Sequence, residues 1–247
     1  ADQGSGSGDL GCGVMRCLIL RLEGPLMSFG DTAIDEIRPT RLLPGRSLLA
    51  GLIGNALGFE HRDVNALQRL QERLLFAARL DQAGEDLLDY QTALIGKKDP
   101  IWITRGHYEQ RGGGTWEKEA KTGRDVQTVQ RYRHYRANSK VTVAMTLDPP
   151  DEVPDLEAVQ LALERPERPL FIGRKGCPPS RPIFDRVVEA DSLVAALDQL
   201  GGEGRIETEA LETEPAGRRL QVADRRDWRM GFHAGLSQRR VLREGTP

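Results

Sequence analysis

Cysteine, histidine and aromatic residues are all scarce in this chain. Its 247 residues include three cysteines, four histidines and only 5% aromatics. Cys12, Cys17 and Cys177 form an odd set without clustered spacing, which argues against a disulfide framework and against a zinc site. A reducing cytoplasm is therefore the expected compartment. His61, His107, His134 and His233 lie far apart and form no metal-ligand pair, so no metal and no cofactor is expected. Long hydrophobic runs are also missing. The longest, Leu48 to Ile53, is far short of the roughly 20 residues of a membrane-spanning helix, and no membrane partner is expected. Charge of one sign is not in excess either. Thirty-five Lys and Arg stand against 37 Asp and Glu, a net of −2, which excludes binding of nucleic acid through uniform basicity.

What is present fits a folded globular chain of one large or two small domains, with 38% hydrophobic and 29% charged residues. Residues 1–14 are rich in Gly and Ser and lack the charged and apolar regions of a secretory signal. They read as a cloning or linker remnant, or an over-extended gene start, ahead of the fold.

From Met15 to Leu22 the pattern is that of a largely buried strand. Residues 24–30 break it, and an Arg- and Pro-containing loop follows to Arg46. Leu48, Leu49, Leu52, Ile53, Ala56 and Leu57 then recur at helical spacing, with Gly58 as the C-terminal stop. Gly51 and Gly54 inside this helix point to close packing against a neighbour. A second helix is predicted over 64–74, and strands 75–80 and 86–92 read as a pair turning at Gly84. The polar stretch 96–139 is too long for an ordinary connection and is predicted to be a protruding hairpin. Alternation resumes at Val141, Val143, Met145 and Leu147. Helices at 156–163 and 192–200, an extended stretch at 171–173 and a hairpin from 206–211 and 219–222 complete the reading. The order predicts an α+β fold with a ferredoxin-like core at 15–200 and a C-terminal β-hairpin and basic tail at 201–247. Such scaffolds often bind RNA, but fold alone does not give function.

Charge is segregated along the chain. Segments 105–140, 165–186 and 215–243 together hold 23 basic and 8 acidic residues, leaving 12 basic and 29 acidic elsewhere. In the first, Arg131, Tyr132, Arg133, His134, Tyr135 and Arg136 interleave cations with aromatics, as phosphate neutralisation and base stacking require. An exposed hairpin face accounts for the same pattern. Gly173, Arg174 and Lys175 sit in a Pro-bounded loop whose backbone amides suit a phosphate, or which is simply a surface turn. Arg38, Arg41 and Arg46 lead to a helix that Ser47 is placed to cap, either as an anion site or as ordinary capping.

Four stretches in this order resemble one family: LRLEGPLMSFG (20–30), RPT (38–40) with PGRSLLAGLIGNALG (44–58), DYQT (89–92) and FIGRKGCPPSRPIF (171–184). Together they are similar to CasD-type members of the Cas-five family, RAMP superfamily, in type I-E CRISPR Cascade. The resemblance covers Met15 to about Leu200. It implies a ferredoxin-like RAMP-type domain with a thumb, matched in position by 96–139. It further implies binding of the CRISPR RNA (crRNA) 5′ handle and packing against the CasC backbone subunit and the large subunit CasA. CasB and CasE would share the complex, with target DNA reached through the assembly.

On this resemblance the RNA-binding residues expected are Arg38, Arg41, Arg46, Ser47, Arg131, Arg133, Arg136, Gly173, Arg174 and Lys175, with no catalytic residue. Met27 and Phe29, following a strand, read as core more readily than as base contacts. Two other functions stay open. One is a metal-independent endoribonuclease, as in the related type I-C subunit, for which His134, Tyr132, Tyr135 and Lys140 offer the side-chain types. In a strand, however, 132 and 134 share one face and 135 lies on the other. The second is a protein-only scaffold whose basic segments meet acidic partners.

Overall fold

The computed structural model describes residues 14–96, 101–102, 108–109, 126–209, 211 and 214–243. Strand β1 (Met15–Glu23) opens the fold; β2 (Leu26–Met27) and β3 (Ile37–Arg38) lie in the loop before helix α1 (Arg46–Ala56). Next come α2 (Val64–Arg73), β4 (Leu74–Gln82), β5 (Glu85–Gly96), β6 (Ile101–Trp102), β7 (Tyr108–Glu109), β8 (Val126–Ala137) and β9 (Lys140–Leu147). Helix α3 (Leu156–Glu164), β10 (Phe184–Ala190), α4 (Leu193–Asp198), β11 (Arg205–Glu209), β12 (Arg218–Asp227) and β13 (Phe232–Arg243) follow. Residues 1–13 of the expected remnant 1–14 lie outside the described residues, as do 97–100, 103–107 and 110–125 of the expected excursion.

Seven strands form one antiparallel sheet in the order β10-β1-β9-β4-β11-β13-β12. Its first four strands, with α1 and α2 between β1 and β4 and with α3 between β9 and β10, have the order of a ferredoxin-like split βαβ unit. The α+β expectation holds in that topology. Because side chains alternate across a strand, Leu18, Leu20 and Leu22 of β1 face α1, α2 and α3, while Cys17 and Ile19 face α4. Both faces of β1 are covered, so its centre, Cys17 to Leu20, reads as an unbroken apolar run between Arg16 and Arg21. Met27 and Phe29 belong to the first of these cores. Gly54 permits tight helix packing: a Cβ there would lie 2.6 Å from Leu67 Cδ2 on α2. Gly58, with φ +81°, takes the left-handed conformation expected after α1.

Several expectations fail. The segments 75–80 and 86–92 are strands but do not pair. The chain turns at Gly84 (φ +64°) into a different sheet, where β5 pairs antiparallel with β8 from Glu85↔Ala137 to Gly96↔Val126. A Cβ at Gly84 would sit 2.1 Å from the Ala137 carbonyl oxygen, so the turn is pressed against the end of β8. The expected hairpin of 206–211 with 219–222 is also absent. β11 pairs with β4 and β13, and β12 pairs with β13, so these strands extend the main sheet. The inward face of β13 carries Ser237 and Arg239 as well as Val241, so burial there leaves no apolar alternation to see. β10, pairing with β1, was equally invisible: adjacent valines replace alternation. At 171–173 no strand forms, although the Ile172 carbonyl accepts the Ser28 N–H at 3.1 Å.

Candidate nucleic-acid interface

β8 organises the second sheet. β5 lies along one edge, and β2 and β3 pair with the other, β3 in parallel through Ile37↔Tyr132 and Arg38↔Arg133. This register sorts the alternating Arg-aromatic sequence onto two faces. Tyr132 and His134 share a face with Ile37, Leu88 and Tyr90; Arg131, Arg133 and Tyr135 share the opposite one with Arg38 and Asp89. On the first face the Tyr90 and Tyr132 rings meet at 4.9 Å, and Ile37, Leu88 and Tyr90 are exposed. On the second, cations from two separate chain segments stand side by side.

The 171–177 loop brings a cation from a third segment. Cys177 N–H donates to the Arg174 carbonyl and Ile172 N–H to the Cys177 carbonyl, each at 2.8 Å, closing a tight turn. Gly173 has φ +94°, and a Cβ there would lie 1.7 Å from the Ser28 carbonyl oxygen, so the close approach to the 24–30 loop requires glycine. From this loop the Arg174 guanidinium lies over the Tyr135 ring, 4.5 Å from its centroid. It donates through Nη1 to the His134 carbonyl at 2.9 Å and through Nη2 to the Arg38 carbonyl at 3.1 Å. Lys175, the next residue, is exposed.

The ten expected binding residues therefore divide. Arg38, Arg131, Arg133 and Arg174 come together on or beside one face of β8, with Gly173 fixing the loop. Among the described residues Arg38 donates to nearby carbonyls, of Asp35 and Ile37 at 2.6 and 2.9 Å, and Arg131 to that of Gln130 at 2.7 Å. Arg136 points with Tyr132 and His134 instead, and bonds the carbonyls of Ala83 and Gly84 at the β4–β5 turn. Arg41 is held 3.2 Å from Glu207. Arg46 is only 5% exposed and bonds Glu209 at 2.8 Å, so its guanidinium faces the interior. Ser47 lies inside α1 and caps nothing: Gly45 is the N-cap, and the Asp224 carboxylate of β12 accepts the Arg46 N–H at 2.8 Å.

Counting charges along the chain missed how many are paired in space. Arg239, 1% exposed, is ion-paired with Asp224 and Glu207 and lies 4.5 Å above the Phe76 ring. Arg226 stacks on Trp228, Arg240 bonds the carbonyls of Glu214 and Pro215, and Arg243 pairs with Asp198. Burial pushes the Glu209 carboxyl up, against the pull of Arg46 and Arg239. Burial also opposes ionisation of Asp224, but Arg239, the Ser237 hydroxyl and the Arg46 amide outweigh it and hold that carboxyl below its ordinary range.

His134 Nδ1 lies 3.2 Å from Asp86 Oδ2, on the face opposite Tyr135. Of the other side chains considered for catalysis, Tyr132 shares its face, Tyr135 lies on the other, and Lys140 pairs with Glu23 at 3.4 Å. Among the described residues there is no group of three or more His, Cys, Asp or Glu placed to hold a metal. His107 lies outside the described residues. The sequence reading missed Tyr90, Leu88 and Asp86, which flank Tyr132 and His134 only because β5 pairs with β8 rather than β4.

Comparison with known proteins places these features in a family. The family model described as CRISPR-associated protein (Cas_Cas5) matches residues 17–240. A CRISPR system Cascade subunit CasD from Escherichia coli (strain K12) is 31% identical over 189 residues, 75% of this chain and 79% of that protein. Among solved structures, a chain of a CRISPR RNA-guided surveillance complex superposes with a TM-score of 0.62 at 22% identity, over 94% of this chain and 91% of the other, a likeness of fold. A second, described as a crystal structure of Cas protein, gives 0.56 at 26% identity over 94% and 95% of the two chains. With the family model spanning nearly the whole described fold, the chain belongs to the CRISPR-associated Cas5 family of the RAMP superfamily.

Proposed function

We propose that the chain is an RNA-binding structural subunit of a Cascade-type CRISPR surveillance complex. It holds the 5′ handle of the crRNA and caps the complex's backbone in the cytoplasm. The similarity to CasD along three-quarters of the chain carries this reading. The two-faced second sheet supports it. Arg38, Arg131 and Arg133, with exposed Lys175, form the surface for RNA phosphates, which position a strand without reading its sequence. The opposite face, with Ile37, Leu88, Tyr90 and Tyr132, is the side turned toward neighbouring subunits, CasC and CasA in this reading. The β5–β8 ladder would be the base of the thumb.

Filter binding of the full chain to a synthetic 5′-handle RNA over a range of salt tests the proposal. Replacing Arg133 and Lys175 together with Ala is expected to weaken binding and to make the slope of log K against log salt shallower by about 1 to 2. An unchanged slope overturns the assignment of this face. Absence of RNA from the assembled complex would favour the protein-only scaffold instead.

A further inference from the structure

β3 contributes only two residues to the sheet, Ile37 and Arg38, in a parallel pairing with β8. The cation on β3 that stands beside Arg133 is thus carried on a very short ladder, with Tyr132 N–H bonded to the Glu36 carbonyl at 3.0 Å. Arg174 closes the gap. One guanidinium nitrogen donates to the Arg38 carbonyl of β3 and the other to the His134 carbonyl of β8, while one flat side rests on Tyr135 of β8. Charge-assisted bonds to two carbonyls from one planar fork fix both distance and angle between the strands.

We propose that Arg174 is a positioning residue, a staple that sets Arg38 beside Arg133, rather than a phosphate ligand. The proposal rests on the reading of this face as the RNA surface. Gly173 places the staple, because the close approach of residue 173 to Ser28 fixes where the Arg174 side chain leaves the loop. Lys175, one residue further and exposed, is the loop's own contact with phosphate.

The two roles answer differently to lysine. A residue that only supplies charge to a phosphate tolerates Arg→Lys, whereas an ammonium group has no planar fork to bridge two carbonyls and stack on a ring. The Arg174→Lys variant is expected to lose RNA affinity by roughly tenfold, as much as Arg174→Ala, while Gly176→Ala in the same loop, where an added Cβ meets nothing within 4 Å, stays within about twofold of wild type. In the RNA-free full chain, hydrogen exchange at the Tyr132 amide is expected to speed up in Arg174→Lys, while core amides of β1 and β9 keep their protection. Wild-type affinity in Arg174→Lys overturns the proposal, whether or not the Tyr132 amide exchanges faster. Unchanged Tyr132 exchange overturns it as well. Failure of the broader RNA reading is distinguishable, because it appears as weak, salt-insensitive binding by the wild-type chain itself.

Discussion

The Asp224 carboxylate on β12 accepts the backbone N–H of Arg46 at 2.8 Å, across 178 residues of sequence. The same carboxylate is ion-paired with the buried Arg239 of β13. A single side chain thus accepts one amide of the first turn of α1 and neutralises a cation inside the sheet, joining the C-terminal strands to the helical face. Asp224→Ala leaves both groups buried without that partner and is expected to cost about 3 kcal/mol in urea denaturation. Asp224→Asn, which still offers an acceptor to the Arg46 amide, should cost less. An unchanged midpoint in Asp224→Ala would contradict this role.

Acid titration separates the carboxylates by sign. Burial pushes the Glu214 carboxyl up even though it accepts the amides of Leu193 and Val194, and Glu209 is raised in the same direction. A carboxyl raised on folding binds its proton more tightly in the folded state, so stability increases as pH falls from above the folded value toward the unfolded value of about 4.3. His233, pushed down by burial and by Arg226, works the other way below about 6.5. Asp224, held low, contributes stability that is lost only as pH drops below its unfolded value of about 3.9. The difference between wild type and Glu214→Gln isolates one of these contributions. The variant is expected to gain less stability than wild type between pH 7 and pH 5, and parallel profiles would refute the assignment.

Gly173 and Gly176 sit in one loop but meet different surroundings. A Cβ at 173 would lie 1.7 Å from the Ser28 carbonyl at positive φ, whereas one at 176 meets nothing within 4 Å. Gly173→Ala should destabilise the chain by about 2 kcal/mol or more and weaken RNA binding through Arg174. Gly176→Ala is expected to be near neutral in both measurements. Equal effects at the two positions would show that the approach to Ser28 is unimportant.

Cys17 and Cys177 are both fully buried, and burial, helped by Glu214, pushes the Cys17 thiol up to about 12. Burial also raises Cys177, against the Arg174 amide and charge. Neither supplies thiolate at pH 8 in the folded chain. Peptide mapping after alkylation should find both unmodified in buffer and modified in urea. Labelling of Cys177 in buffer would mean that the 171–177 loop opens readily.

Local pattern was enough for several elements. Leu18, Leu20 and Leu22 had to be core, because an apolar run with no polar face is stable only when covered on both sides. The spacing of Leu49, Ile53 and Ala56 fixed α1, and Gly58 fixed its end. The interleaving along 131–136 already placed Tyr132 and His134 on one side and Tyr135 on the other, since side-chain direction in a strand depends only on position. The four motif stretches pointed to the Cas5 family without any coordinates.

Pairing between distant segments was beyond that reach. Nothing local distinguishes β5 meeting β4 from β5 meeting β8, because either partner satisfies its backbone. In the folded chain the turn at Gly84 is pressed on Ala137 and β5 runs along β8. The fate of each cation was equally non-local. Arg239 counts toward a basic segment along the chain and Arg46 toward an arginine-bearing loop, yet they lie buried against Asp224 and Glu209, while Arg38 and Arg133 meet on an open face. The sequence by itself determined which residues could form the core, the helices and a two-faced strand, since those follow from the spacing of neighbours. Which charges face outward was decided only by the tertiary structure, because a charge is neutralised by whatever lies beside it in space, however far away in the chain.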